Sequence, residues 1–107
     1  MISFREVAKK GRSLEKEIGA DFNAVLSKFS EECGELVGAI QSFRGIYTRK
    51  DTNIEGVKDE MGDVLFNLVS LASRLGIDPD TFSELANNTV KKFDRRVTED
   101  VSYKKRE

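Results

Sequence analysis

Five acidic residues fall in two short groups that a helix would bring to one side: Glu31, Glu32 and Glu35 in KFSEECGELVGAI, and Glu60 and Asp63 in VKDEMGDVLFNLV. Apolar residues recur around each group at three- and four-residue steps, Phe29, Cys33, Leu36 and Ile40 in the first and Val57, Val64, Leu68 and Leu75 in the second. Projected at about 100° per residue, Glu32 lies roughly 60–80° from the centre of its stripe and Glu35 about 60° beyond it. Lys28 falls between them in angle, one turn earlier, while Glu31 points further round the back. Glu60 and Asp63 take the corresponding flank of the second stripe, with Asn67 one turn on. Two such helices packed antiparallel turn these flanks toward each other, so Glu32, Glu35, Glu60 and Asp63 are expected to converge.

Carboxylates gathered at the edge of a low-dielectric core repel one another and are driven toward protonation unless a counter-charge is present. A cation removes the conflict. An all-oxygen ligand set suits a hard ion such as Mg²⁺, or Mn²⁺ in its place, which keeps waters and recruits phosphate oxygens. The competing reading is a solvated acidic face, common on amphipathic helices in a chain with 35% charged residues. Asp59 and Glu31 suit that surface role, though Glu31 is also within reach of a second ion. With no histidine and one cysteine, Cys/His zinc sites and the Glu-x-x-His di-iron pattern are excluded. Cys33, on an apolar stripe, reads as a small core residue.

The elements that must hold these groups are all helical. Phe4, Val7, Ala8, Leu14 and Ile18 predict a first helix near residues 3 to 18, weakened by Gly11 and closed by Gly19. Asp21 caps a second, with Phe22, Val25, Leu26, Phe29, Cys33, Leu36, Val37, Ile40 and Phe43 along one side and Gly45 at its end. GIYTRKDTN reads as a loop, with Asp51, Thr52 or Asn53 capping a third helix that runs to Gly76. Asp78 and Pro79 open a fourth, carrying Phe82, Leu85, Ala86, Val90, Phe93 and Val97. The expected fold is a single-domain, all-α four-helix bundle.

Composition limits the partners. The 107 residues suffice for one modest core, and 18 basic against 19 acidic residues give no bulk attraction to nucleic acid or anionic membrane. VLFNLVSLA is interrupted by Asn67 and Ser70 and falls far short of the roughly 20 residues that span a bilayer. MISFREVAKK has no apolar segment followed by a cleavage site, so a cytoplasmic protein is expected. Four amphipathic helices in so short a chain enclose a core and a ligand cleft poorly, which points to a homo-oligomer.

KFSEECGELVGAI followed by VKDEMGDVLFNLVSLASRLGIDP resembles the MazG-type nucleoside triphosphate pyrophosphohydrolases, whose signature is EExxE, a variable gap, then ExxD. Here those positions are Glu31, Glu32, Glu35, Glu60 and Asp63. The resemblance covers roughly residues 22 to 97 and extends into KKFDRR. This chain carries one copy of the domain where longer members carry two, and it lacks the tryptophan-containing segment that precedes their motif. The resemblance implies Mg²⁺-dependent hydrolysis of a (deoxy)nucleoside triphosphate between its α- and β-phosphates, giving monophosphate and pyrophosphate in nucleotide-pool house-cleaning. It implies Glu32, Glu35, Glu60 and Asp63 as metal ligands, with Glu31 at a second ion or orienting the attacking water. Assembly as a homodimer or homotetramer is implied as well. Lys92 and Arg95 match the family's basic fourth helix, beside Lys91 and Arg96. For these cations and for Lys28, phosphate contact stands against a solvated face or a carboxylate partner. Asn67 touches sugar or base, or is a structural amide; Phe22, Phe43 and Tyr47 stack on a base or pack. A catalytically silent helical interaction module is the second class of function, and loss of a motif carboxylate would have favoured it; none is lost.

Overall fold

The computed structural model describes residues 1–45 and 52–99; Tyr47 and Asp51 lie outside them. Four helices follow one another, α1 (Phe4–Glu17), α2 (Phe22–Phe43), α3 (Ile54–Arg74) and α4 (Phe82–Glu99), with a 3₁₀ turn η1 (Pro79–Thr81) before the last. No strand occurs among the described residues. Side chains supply the starts: Ser3, Asp21 and Asn53 accept from the backbone N–H of Glu6, Ala24 and Gly56, occupying donors that no helical carbonyl reaches. Asn53 is thus the cap of α3, and Asp78 caps η1 with Pro79 at its first position. The stops of α1 and α3 are Schellman turns: Gly19 and Gly76 take φ of 72° and 77°, and the following N–H groups of Ala20 and Ile77 return to the carbonyls of Glu15 and Ala72.

The helices α2 and α3 pack on each other and α1 lies across α3. Close approach of α1 depends on Gly11, where an added Cβ would stand 3.2 Å from the Phe66 ring. A buried ion pair secures the contact. Glu15 of α1 accepts from Arg74 Nε at 2.9 Å and from Ser70 Oγ, while Arg74 also donates to the Ala20 carbonyl at 3.1 Å. At the other end of α1, Arg5 pairs with Asp78 and Asp80 of the η1 turn, and Phe4 meets Phe82 with ring centroids 5.8 Å apart.

The four expected helices are present; α4 continues directly from η1, runs alongside neither α2 nor α3, and buries no residue. One expectation needs correcting: the apolar stripes are only partly core. Val25, Val57, Val69, Leu71 and Ala72 are buried, whereas Leu26, Val37, Ile40, Met61, Leu65 and Leu68 are exposed. On α1 the inward positions are Ala8, Gly11 and Glu15, and Leu14 and Ile18 face out. The apolar arcs are wider than the contacts one chain makes, so their shoulders remain uncovered.

Candidate metal centre

Along α2 the inward face runs through Val25 and Glu32, one heptad apart, with Phe29 and Leu36 half-buried beside them. Glu32, expected on the flank of the stripe, therefore sits within the buried face and is 5% exposed. The apolar arc has a second, exposed shoulder at Leu26, Val37 and Ile40, which drew its centre away from the true packing direction. From α3, Glu60 and Asp63 approach half-buried, one helical turn apart. One carboxylate oxygen from each of Glu32, Glu60 and Asp63 lies within 4.8 Å of the other two. The antiparallel convergence inferred from spacing thus joins three of the four expected ligands.

Charge in this cluster is poorly compensated by protein. Lys28 Nζ lies 3.0 Å from Glu32 Oε1, its proton held more firmly by that hydrogen bond and charge. Glu32 Oε2 and Glu60 Oε2 are buried without any hydrogen-bond partner. Burial raises the Glu60 carboxyl above the usual range, and the charges of Glu35, Asp63, Glu32 and Asp59 raise it further. Asp63 is raised likewise by burial, then by Glu32 and Asp59. Orphaned, desolvated carboxylate oxygens at this spacing fit a hard divalent cation, which satisfies oxygen lone pairs that water and lysine do not reach.

The remaining predicted site residues are distributed around this cluster. Glu35 is exposed and outside the tight trio, yet its charge is the strongest of those acting on Glu60. Glu31 is exposed. Asn67 is buried, and its Nδ2 donates to the Asp63 carbonyl at 2.8 Å. Lys28 and Asn67 also line a largely apolar cavity of about 390 Å³ between α1, α2 and α3, with Gly11, Leu14, Val25 and Phe66. Lys92, Arg95 and Arg96 lie on α4, which continues from η1 and runs beside neither α2 nor α3. Phe22 and Phe43 are exposed.

Sequence reasoning missed Glu15, Ser70, Arg74 and the cavity. A signal existed: Phe4, Ala8, Gly11, Glu15 and Ile18 follow alternating four- and three-residue steps, placing a carboxylate in the seam and a glycine where a ring must approach.

The described residues are all helical, with an acidic cluster contributed by α2 and α3. The model of the MazG nucleotide pyrophosphohydrolase domain matches residues 20–99, and the chain belongs to that family. Comparison with curated proteins and with solved structures gave no match.

Proposed function

We propose that this chain hydrolyses a (deoxy)nucleoside triphosphate to the monophosphate and pyrophosphate, with Mg²⁺ as cofactor and Mn²⁺ as a substitute, as a nucleotide-pool house-cleaning enzyme. The supporting observation is the pair of buried, unpartnered oxygens on Glu32 and Glu60, with Asp63 within 4.8 Å, beside an apolar cavity. Glu32, Glu60 and Asp63 would hold the ion and Glu35 would complete the set. Bound there, Mg²⁺ would polarise the phosphoryl oxygens, neutralise charge on the departing pyrophosphate and acidify a coordinated water. Glu31, next to Glu32 on the solvent side, orients the attacking water or serves a second ion. Lys28, which otherwise spends its charge on Glu32, turns to a phosphate oxygen when that carboxylate is engaged. Asn67 stands where cluster and cavity meet, so base or sugar is held there against Phe66 and Val25. Lys92, Arg95 and Arg96 contact phosphate.

The working form is a cytoplasmic homodimer or homotetramer acting on free nucleotides, without nucleic-acid or membrane partners. Among the described residues no helix is long and apolar enough to cross a membrane. Exposed Leu26, Val37, Ile40, Met61, Leu65 and Leu68 on α2 and α3 support the assembly. Product analysis over a panel of nucleoside triphosphates, with and without Mg²⁺, tests the reaction. Monophosphate and pyrophosphate in equal amounts are expected. Orthophosphate as the sole phosphate product, or no turnover with any divalent ion, overturns it.

A further inference from the structure

Arg5, Lys9, Arg12 and Lys16 follow one another along α1 at four-, three- and four-residue steps. At about 100° per residue all four fall within about 60° of arc, a basic stripe about three turns long. Its first member is compensated, since Arg5 pairs with Asp78 and Asp80. Lys9, Arg12 and Lys16 form no ion pair among the described residues.

The uncompensated end of the stripe meets Arg74. Arg12, Ser13 and Lys16 line a cavity of about 460 Å³ together with Ala20 and Arg74 of α3. The Arg74 guanidinium is oriented before any ligand arrives: Nε and Nη2 lie 2.9 and 2.8 Å from Glu15 Oε1, and Nη2 donates to the Ala20 carbonyl at 3.1 Å. Its Nη1 has no partner among the described residues, although the side chain is only 13% exposed. A guanidinium held on one edge and free at Nη1 presents two donors in a fixed direction. Glu15 offsets one of the three positive charges at the cavity, and the described residues supply no anion for the other two.

Lys16 and Arg74 stand in the last turns of α1 and α3, where a cation complements the helix dipole. That accounts for one basic residue at each helix end. It does not account for Arg12, one turn earlier, or for three cations around one cavity, which repel one another until an anion joins them. The place is separate from the acidic cluster. Arg74 stands about 16 Å along α3 from Asp63, and Gly11, Leu14 and Ile18 line the apolar cavity from the other side of α1. α1 also precedes the matched family domain, which begins at residue 20.

We propose that Arg12, Lys16 and Arg74 form a second anion site, between α1 and α3, for a multivalent phosphate-class oxyanion. Two net positive charges match phosphate, pyrophosphate or a phosphomonoester better than a single carboxylate, and guanidinium N–H groups suit phosphate oxygens. The bound anion ties α1 to α3 and reinforces the contact that Glu15 makes with Arg74. The site does not depend on the hydrolytic reaction.

Inorganic phosphate and pyrophosphate titrated into ¹⁵N-labelled protein test it. Without divalent ions the acidic cluster repels both anions and contributes no binding. Saturable shifts are expected at the backbone amides of Arg12, Ser13 and Lys16 and at the Arg74 Nε–H, together with a rise in melting temperature. Formate at matched ionic strength should produce neither. The combined Arg12→Ala and Lys16→Ala change alters two exposed side chains and should weaken binding about tenfold or more. The combined Lys92→Ala and Arg95→Ala change on α4 should leave it at the wild-type value. Binding should also weaken below about pH 6, where a phosphate group takes up its second proton. No saturable shift, unchanged affinity without Arg12 and Lys16, or loss of binding in the α4 variant overturns the proposal. Binding to phosphatidylglycerol vesicles without binding to either free anion overturns it as well, and makes α1 a membrane-surface helix instead. Saturable binding by a protein that releases no pyrophosphate from any nucleotide keeps this site and removes only the proposed reaction.

Discussion

Glu60 presents the conflict of this protein at its smallest scale, a half-buried carboxyl with one oxygen lacking any partner and four acidic neighbours acting on it. Its proton affinity in the fold is raised, so ionising it costs more folded than unfolded. The stability linked to that proton is therefore full below the ordinary carboxylate range and is lost as pH rises through the raised value. Glu60→Gln keeps the shape and removes the charge. In EDTA at neutral pH the variant should melt above wild type, and the difference should shrink on acidification. Mg²⁺ should stabilise wild type by about 2.7 kcal/mol at a hundredfold excess over Kd, and the variant by much less. Equal melting temperatures without metal together with equal shifts on adding it would show that these carboxylates do not form the site. Alanine at Glu32, Glu35, Glu60 or Asp63 should each abolish most turnover, checked by pyrophosphate release; near-normal rates in two of the four would mean the site is elsewhere. At this scale the sequence was informative because carboxylate spacing on a helix is fixed by geometry. Its error at Glu32 arose because an apolar arc shared between a core and an exposed shoulder has a misleading centre.

The helix α1 is attached by a glycine and an ion pair more than by an apolar stripe. Gly11 admits the Phe66 ring, and Glu15 with Arg74 and Ser70 fixes the register of α1 on α3, leaving Leu14 and Ile18 to line the cavity. The side chains of Arg74 and Glu15 are 13% and 9% exposed, so removing one partner leaves a charge largely out of water. Glu15→Ala should destabilise the fold by about 3–5 kcal/mol, whereas replacing Glu15 and Arg74 together by leucine and methionine should come close to neutral. Urea unfolding of both variants measures the difference; equal losses would mean that shape, not charge pairing, holds α1. Helix existence and ends were legible because caps are local: Asp21, Asn53, Asp78, Gly19, Gly45 and Gly76 act where the sequence places them. The α1 face was not legible, because an apolar count passes over a seam position occupied by glutamate, and pairing with Arg74 is visible only once residues 59 apart in sequence are brought together.

Across the molecule, many large apolar side chains on the described helices are exposed, on α2 and α3 as well as on α4. The sequence gives no means of separating residues that pack within a chain from residues that pack between chains, because both need the same hydrophobic side chains at the same helical steps. A four-helix bundle was therefore the natural expectation from four amphipathic segments, and that α4 runs beside neither α2 nor α3 could not be read from its apolar steps. On α2 and α3, Leu26, Val37 and Ile40 lie round one side of α2 and Met61, Leu65 and Leu68 round one side of α3, each displaced from the carboxylates on its own helix. Charge introduced there should act on assembly before it acts on the ion. Wild type should sediment as a dimer or tetramer at micromolar concentration, and Leu65→Lys combined with Ile40→Glu should yield a smaller species. That species should keep its Mg²⁺-dependent rise in melting temperature, since Glu32, Glu60 and Asp63 come from one chain. A wild-type protein that sediments as a monomer contradicts the assembly, and a variant that keeps the wild-type size contradicts its placement on these faces.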